Sequence, residues 1–323
     1  MIVDIHAHYF PKAYVDTLIR IGGKSLPEAA RPQTRRPGGP RWDEPSSIAA
    51  RLEQMDDAGV AMQILSPAAS PPYAETEEDA VYAARLINDT YAELAARYPG
   101  RLNAVVSLPL PHIDASLREM ERGLDQLGMP GVSLICSCFD RSTAEAEFEP
   151  LYQEMNRRRA LVNYHPVQNG LCSPLINDYK FTVAVGASLE DTAIVLHLIA
   201  RQIPHRYPNI TYVIPHLGGM IPMQLQRLDN QVPSRLPDLP ERPSETARRL
   251  YYDIVGHGSK AALVCAWMAF GADHLVAGSD YPVLMAFETY RKTFHYVAEC
   301  GLPEADVDKI LHRNSQRVLK LTQ

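Results

Sequence analysis

Short apolar runs alternate with helical patterns along almost the whole chain, and this alternation is the strongest limit on its fold. Eight runs qualify as strand candidates: 2–5, 61–65, 102–108, 132–135, 161–164, 210–214, 251–254 and 275–277. Most lead into a stretch with apolar residues at helical spacing. Between Glu75 and Tyr98, for example, Ala80, Ala84, Ile87, Tyr91, Leu94 and Ala95 form such a stripe, and Pro99-Gly100 stops it. Other helices are expected from Ile48 up to Gly59, then over 113–127, 147–159, 189–203, 221–232 and 260–270. A C-terminal group is expected around 287–300, 304–311 and 315–319. Strands that each feed a helix predict an α/β fold, a single (β/α)8 TIM barrel with extra C-terminal helices; a doubly wound sheet is the alternative. The 323 residues suffice for one barrel of about 250 residues plus insertions.

Residues 22–45 break the pattern. They hold Gly22-Gly23, Pro27, Pro32, Pro37, Gly38-Gly39, Pro40 and Pro45, with Lys24, Arg31, Arg35, Arg36 and Arg41 against Glu28 before Asp43. The segment reads as a Pro- and Arg-rich N-terminal insertion in a barrel domain spanning 1–323, placed to cover an anionic site or to remain a solvated loop.

Composition narrows the function. Lys+Arg 32 against Asp+Glu 38 gives a net charge of −6, so no global positive field favours nucleic acid or anionic lipid. No run of about 18 consecutive apolar residues predicts a membrane span, and Met1-Ile2-Val3-Asp4-Ile5-His6 lacks the layout of a secretory leader. Cys136, Cys138, Cys172, Cys265 and Cys300 form neither a disulfide framework nor a CxxC pair, which predicts a reducing cytoplasmic setting. Gly218-Gly219 lacks the spacing of a phosphate loop.

The chemistry gathers at the strand ends. His6-x-His8 closes the first run, His165 closes the fifth, His216 follows the sixth and Asp280 follows the eighth. In a TIM barrel the C-terminal strand ends form the active site. Side chains alternate along a strand, so His6 and His8 share a side. Imidazoles with a carboxylate suit a divalent ion such as Zn²⁺ in an open site. Each signal alone has an ordinary structural reading; four at strand ends of one barrel point to a metal.

This pattern resembles the amidohydrolase superfamily. Within it, the chain is most similar to the decarboxylase family that includes aminocarboxymuconate semialdehyde, γ-resorcylate, 5-carboxyvanillate and 6-methylsalicylate decarboxylases. The resemblance runs from Asp4-Ile5-His6-Ala7-His8 to Gly278-Ser279-Asp280-Tyr281-Pro282 and the closing His312-Arg313-Asn314-Ser315. It implies that His6, His8, His165 and Asp280 bind one divalent metal, Zn²⁺ first and Mn²⁺ second. It also implies that His216 and Asp280 are catalytic. The His-x-His opening matches the semialdehyde enzyme rather than the Glu-x-His form of several aromatic decarboxylases. The resemblance further implies a homodimer or homotetramer.

The reaction expected from it is non-oxidative decarboxylation of a small aromatic hydroxy-acid or a carboxymuconate semialdehyde. The alternative is a metal-dependent hydrolase or hydratase acting on a small lactone, amide or unsaturated acid; a non-catalytic assembly role is a third reading. Candidate contacts to a small carboxylated substrate are Arg41, Arg51, Trp42, Tyr179 and Phe287, with Tyr164, Phe181, Phe294 and His257 as further options. All of these also have ordinary packing or surface explanations.

Overall fold

The computed structural model describes residues 1–21, 43 and 47–321. Eight parallel strands form the barrel: β1 (Ile2–His8), β2 (Val60–Ser66), β3 in two pieces (Leu102–Ala104 and Val106–Ser107), β4 (Gly131–Ile135), β5 (Leu161–His165), β6 (Thr211–Ile214), β7 (Tyr251–Asp253) and β8 (Leu275–Val276). β1, β2 and the first piece of β3 pair in that order, and the second piece of β3 continues through β4, β5, β6 and β7 to β8. The barrel closes between β8 and β1 by backbone bonds: Ile5 N donates to Ala277 O (3.0 Å) and His8 N to Tyr281 O (2.7 Å). The eight predicted runs therefore all lie in the barrel, and the doubly wound alternative is set aside.

Helices lie between successive strands. α1 (Lys12–Arg20) and α2 (Ser47–Ala58) follow β1, and α3 (Glu77–Arg97) follows β2. Thr76 caps α3 by accepting from Asp79 N, and Glu77, Glu78 and Asp79 sit in its first turn, where the helix dipole favours them. α4 (Ile113–Glu121), α5 (Glu149–Arg158), α6 (Ala187–Ala200), α7 (Ile221–Gln231) and α8 (Lys260–Phe270) continue the alternation. The helix expected over 287–300 is instead two short pieces, Lys292–His295 and Tyr296–Glu299, while α1 carried no sequence expectation. Thr182–Ala200 is long and apolar enough to cross a membrane by composition, yet half of it is buried and it carries the buried Glu190 and Asp191. It is a core helix lying on the barrel.

Two apolar layers fix the strands. The inner one joins Val3, Ile5, Ile64, Val105, Leu161, Val213 and Val276, with Val318 and Leu319 packed against it. The outer one, between strands and helices, includes Ala7, Leu65, Val162, Tyr164, Tyr212 and Ile214. Ile5 is inside and Ala7 outside, which strict alternation forbids. The register explains it: Asp4 pairs with Gln63 and Ala7 with Leu65, so β1 carries one extra residue there. Such a bulge reverses which side chains face in. Below it apolar residues fill the barrel; above it His6 and His8 turn inward.

Candidate metal centre

Four strand ends deliver one cluster. His6, His165, His216 and Asp280 each offer a donor atom, and these atoms all lie within 4.8 Å of one another. His8 joins them: its Nε2 is 3.1 Å from His6 Nε2 and 2.8 Å from Asp280 Oδ1. Its ring lies 5.0 Å from that of His165. The residues predicted as metal ligands or acid/base groups thus meet at the C-terminal mouth of the barrel.

Each imidazole is tied through Nδ1. His6 Nδ1 donates to Asp253 Oδ2 at 2.6 Å, His165 Nδ1 to Pro166 O at 2.8 Å and His216 Nδ1 to Asp191 Oδ2 at 2.8 Å. His8 Nδ1 lies 3.3 Å from Ser66 O and 3.2 Å from Ser66 Oγ. These acceptors put the Nδ1 proton on the outer nitrogen and leave Nε2 as the inward donor atom. His165 Nε2 is buried with no hydrogen-bond partner. A buried, orphaned lone pair costs free energy unless a cation shares it. The donor set therefore fits a divalent metal ion.

The electrostatics are polarised. Burial alone would lower His6, but the Asp253 carboxylate and Asp280 raise it to about 9. Burial likewise opposes charge on His216, and Asp191 with Asp280 overrides it and holds the imidazole well above its usual range. His8 is lowered to about 4, chiefly by burial, and His165 is held well below its usual range by burial and the neighbouring histidines. Burial pushes Asp280 up, yet the adjacent His216, His6 and His8 imidazoles keep its carboxylate well below the usual range.

The backbone is bent to bring these groups in. Asp280 and His216 adopt positive φ of 56° and 51°, a left-handed conformation that non-glycine residues avoid. Asp280 N donates to His6 O at 2.8 Å. Beneath it, Asp4 accepts from Ser279 Oγ (2.6 Å), Tyr290 OH (2.7 Å) and Gln63 Nε2 (3.2 Å). The Gly218-Gly219 pair lets the His216 turn pack closely. A Cβ on Gly219 would meet Ser188 O at 2.2 Å, and one on Gly218 would meet the Tyr252 ring at 2.7 Å.

The predicted substrate contacts are less concentrated. Arg41 and Trp42, like most of the 22–45 insertion, lie outside the described residues. Arg51 is fully buried: it donates to Gln63 Oε1 (2.9 Å) and His8 O (2.8 Å), with its guanidinium 4.4 Å from the Tyr281 ring centroid. It supports the backbone that carries His8. Tyr179 and Phe287 are exposed on loops, and Phe287 lies 5.8 Å from His257. Tyr164 points to the helix layer, where its hydroxyl meets Tyr152 at 2.6 Å, and Phe294 is in the core. Sequence reasoning missed Asp253 and Asp191. Asp253 had a signal, since it ends the seventh strand; Asp191 lies inside a helix and had none.

Fold and donor set together define a class: a parallel (β/α)8 barrel with a nitrogen- and oxygen-donor cluster at its C-terminal mouth. The chain belongs to the amidohydrolase family, whose profile matches residues 3–321. It is 24% identical to a 2-amino-3-carboxymuconate-6-semialdehyde decarboxylase of Dictyostelium discoideum, over 72% of this chain and 66% of the relative. It is 25% identical to a γ-resorcylate decarboxylase of Rhodococcus jostii, over 92% and 96%. Among solved structures, a dihydroxybenzoic acid decarboxylase from Polaromonas, with bound manganese and the inhibitor 2-nitroresorcinol, superposes with a TM-score of 0.81 at 21% identity. That match covers 100% of this chain and 97% of the other.

Proposed function

We propose that this protein is a metal-dependent, non-oxidative decarboxylase of a small aromatic hydroxy-acid or a related carboxymuconate semialdehyde. The observation that carries the metal is the partnerless, buried Nε2 of His165 among imidazoles tied by Nδ1. The family relatives carry the reaction class. In this reading His6, His8, His165 and Asp280 are the ligands. Zinc is the first candidate on a nitrogen-rich donor set, and manganese, bound in the Polaromonas relative, is the second.

When bound, a divalent ion would polarise the substrate carboxylate and its neighbouring hydroxyl and fix the ring in place. The chain supplies the proton. His216, charged beside Asp191, presents Nε2 3.9 Å from Asp280 Oδ2. The pair can hold a proton and pass it to the ring carbon that bears the carboxylate. A C–H bond forms there. The C–C bond then breaks, its electron pair restores the aromatic ring, and CO₂ leaves.

Arg41, Trp42, Tyr179 and Phe287 remain proposed substrate contacts; buried Arg51 would act from beneath His8. A homodimer or homotetramer in the reducing cytoplasm completes the proposal. Exposed Leu171, Leu175, Tyr179, Phe181, Val183 and Val185 would suit burial against a second subunit. The test is product analysis on a panel of hydroxybenzoates, a carboxyvanillate, a carboxymuconate semialdehyde, lactones and amides. Loss of CO₂ from one acid, absent with His6→Ala, is the expected result. Addition of water to a lactone or amide, with every acid untouched, would move the protein to the hydrolases.

A further inference from the structure

α6 carries two adjacent buried carboxylates, Glu190 and Asp191. Neighbouring residues diverge by about 100° around a helix, so the two face different strand ends. Asp191 reaches His216, after β6. Glu190 reaches the loop after β5 and accepts from four consecutive backbone N–H groups. Oε2 takes Val167 (2.7 Å) and Gln168 (3.0 Å); Oε1 takes Asn169 (2.8 Å) and Gly170 (2.9 Å). Consecutive N–H groups converging on one point form an anion-binding concavity, filled here by the chain's own side chain. The loop is tightly wound: Gln168 and Gly170 have φ of 63° and 59°, and a Cβ on Gly186 would lie 2.8 Å from Gly170 Cα. The loop begins at Pro166, whose carbonyl accepts from His165 Nδ1.

We propose that Glu190 is a positioning residue for the metal centre. By gathering the N–H groups of 167–170 it fixes the Pro166 carbonyl, and that carbonyl sets the tautomer and direction of His165. The inference rests on the metal reading above. A glutamine would keep the size of Glu190 but turn an NH₂ group toward two of the four donors, so Glu190→Gln undoes the cradle with little change of volume.

The test is a Co²⁺ titration of the wild-type protein and Glu190→Gln, read by the visible d–d spectrum and by competition with a chelator. The expected result is a dissociation constant raised about 10–100-fold, the usual effect of losing a partner that orients a ligand, with a changed spectrum. A residue that only stabilised the fold would lower the melting temperature and leave the spectrum of bound Co²⁺ as it was. Unaltered affinity and spectrum in Glu190→Gln would overturn the proposal. If that variant does not fold, the wild-type protein still decides. Coupling is reciprocal, so Co²⁺ must slow hydrogen exchange at the amides of 167–170; no change there overturns the proposal. If the wild-type protein takes up no Co²⁺, the metal reading itself fails, which is a distinct result.

Discussion

Asp253 and His6 are 247 positions apart in sequence, and their side chains meet at 2.6 Å inside the barrel. Both are buried. While Oδ2 holds His6 Nδ1, Asp253 Oδ1 accepts from the backbone N–H of His216 (2.9 Å) and Val255 (3.0 Å). One carboxylate thus ties β1, the turn after β6 and the end of β7 to a single geometry. Asp253→Asn keeps the shape and removes the charge that raises His6. Above pH 9, where no proton competes for His6 Nε2, metal affinity is expected to fall about 10–100-fold. Chelator competition checks this, and a variant that holds metal as tightly as the wild type would show that His6 needs no such support.

Asp191 holds His216 through a 2.8 Å bond from Nδ1. Asp191→Asn leaves His6, His8, His165 and Asp280 in place and removes the charge that keeps His216 protonated. The expected outcome is a kcat lowered about 100-fold or more, in the range of a lost general acid, with metal content and KM nearly unchanged. Steady-state kinetics beside metal analysis separate the two. A raised KM at constant kcat would instead make His216 a binding residue.

Metal and proton compete at His6. Its pKa is raised to about 9, so without metal the imidazole holds its second proton at neutral pH. An ion can take Nε2 only by displacing that proton. Apparent affinity should therefore fall by about tenfold for each unit that pH drops below the raised pKa, with about one proton released per ion bound. His8 and His165, lowered by burial, add no release at neutral pH. Calorimetry in buffers of different ionisation enthalpy measures the proton count. Affinity that stays constant from pH 6 to pH 8 would contradict the charge assigned to His6.

The barrel was legible because its signals are local. A strand such as Leu161–His165 is a short apolar run, and its terminal histidine stands beside it in sequence. The donor residues were legible for the same reason. The bulge in β1 was not, because a bulge is defined by pairing with another strand, and Val60–Ser66 lies more than fifty residues away. Asp191 and Glu190 read as ordinary helical acids; only the fold shows that they are buried against loops. Arg51 reads as a surface cation on α2, yet Gln63, the His8 carbonyl and the Tyr281 ring take it into the interior. The short helices beyond Phe287 defeated periodicity because each spans about one turn.

Asn314 fastens the lower end of β8. Its Nδ2 donates to Ala272 O (2.8 Å) and Leu275 O (2.7 Å), and the adjacent Ser315 Oγ accepts from Ala277 N (3.1 Å). Asn314→Ala strands buried carbonyls, at a cost of about 1–3 kcal/mol. A thermal melt should drop by several degrees, while the donor cluster at the opposite end of the strand keeps its metal affinity.

Gly278 gives the complementary case at the upper end. A Cβ there would lie 2.9 Å from Asp253 Cβ and 3.0 Å from His6 Cβ. These neighbours are not flexible side-chain tips; each is the first carbon off its backbone, so relief requires β1 or β7 to move. Gly278→Ala is expected to cost about 1–3 kcal/mol by overpacking, close to the loss from Asn314→Ala. The two variants should nevertheless differ in metal binding. The added methyl wedges apart the pair that aims His6, so Gly278→Ala should lose affinity at least tenfold where Asn314→Ala loses almost none. If both variants bind metal equally well, the centre tolerates displacement of His6, and the tie between Asp253 and His6 contributes to folding alone.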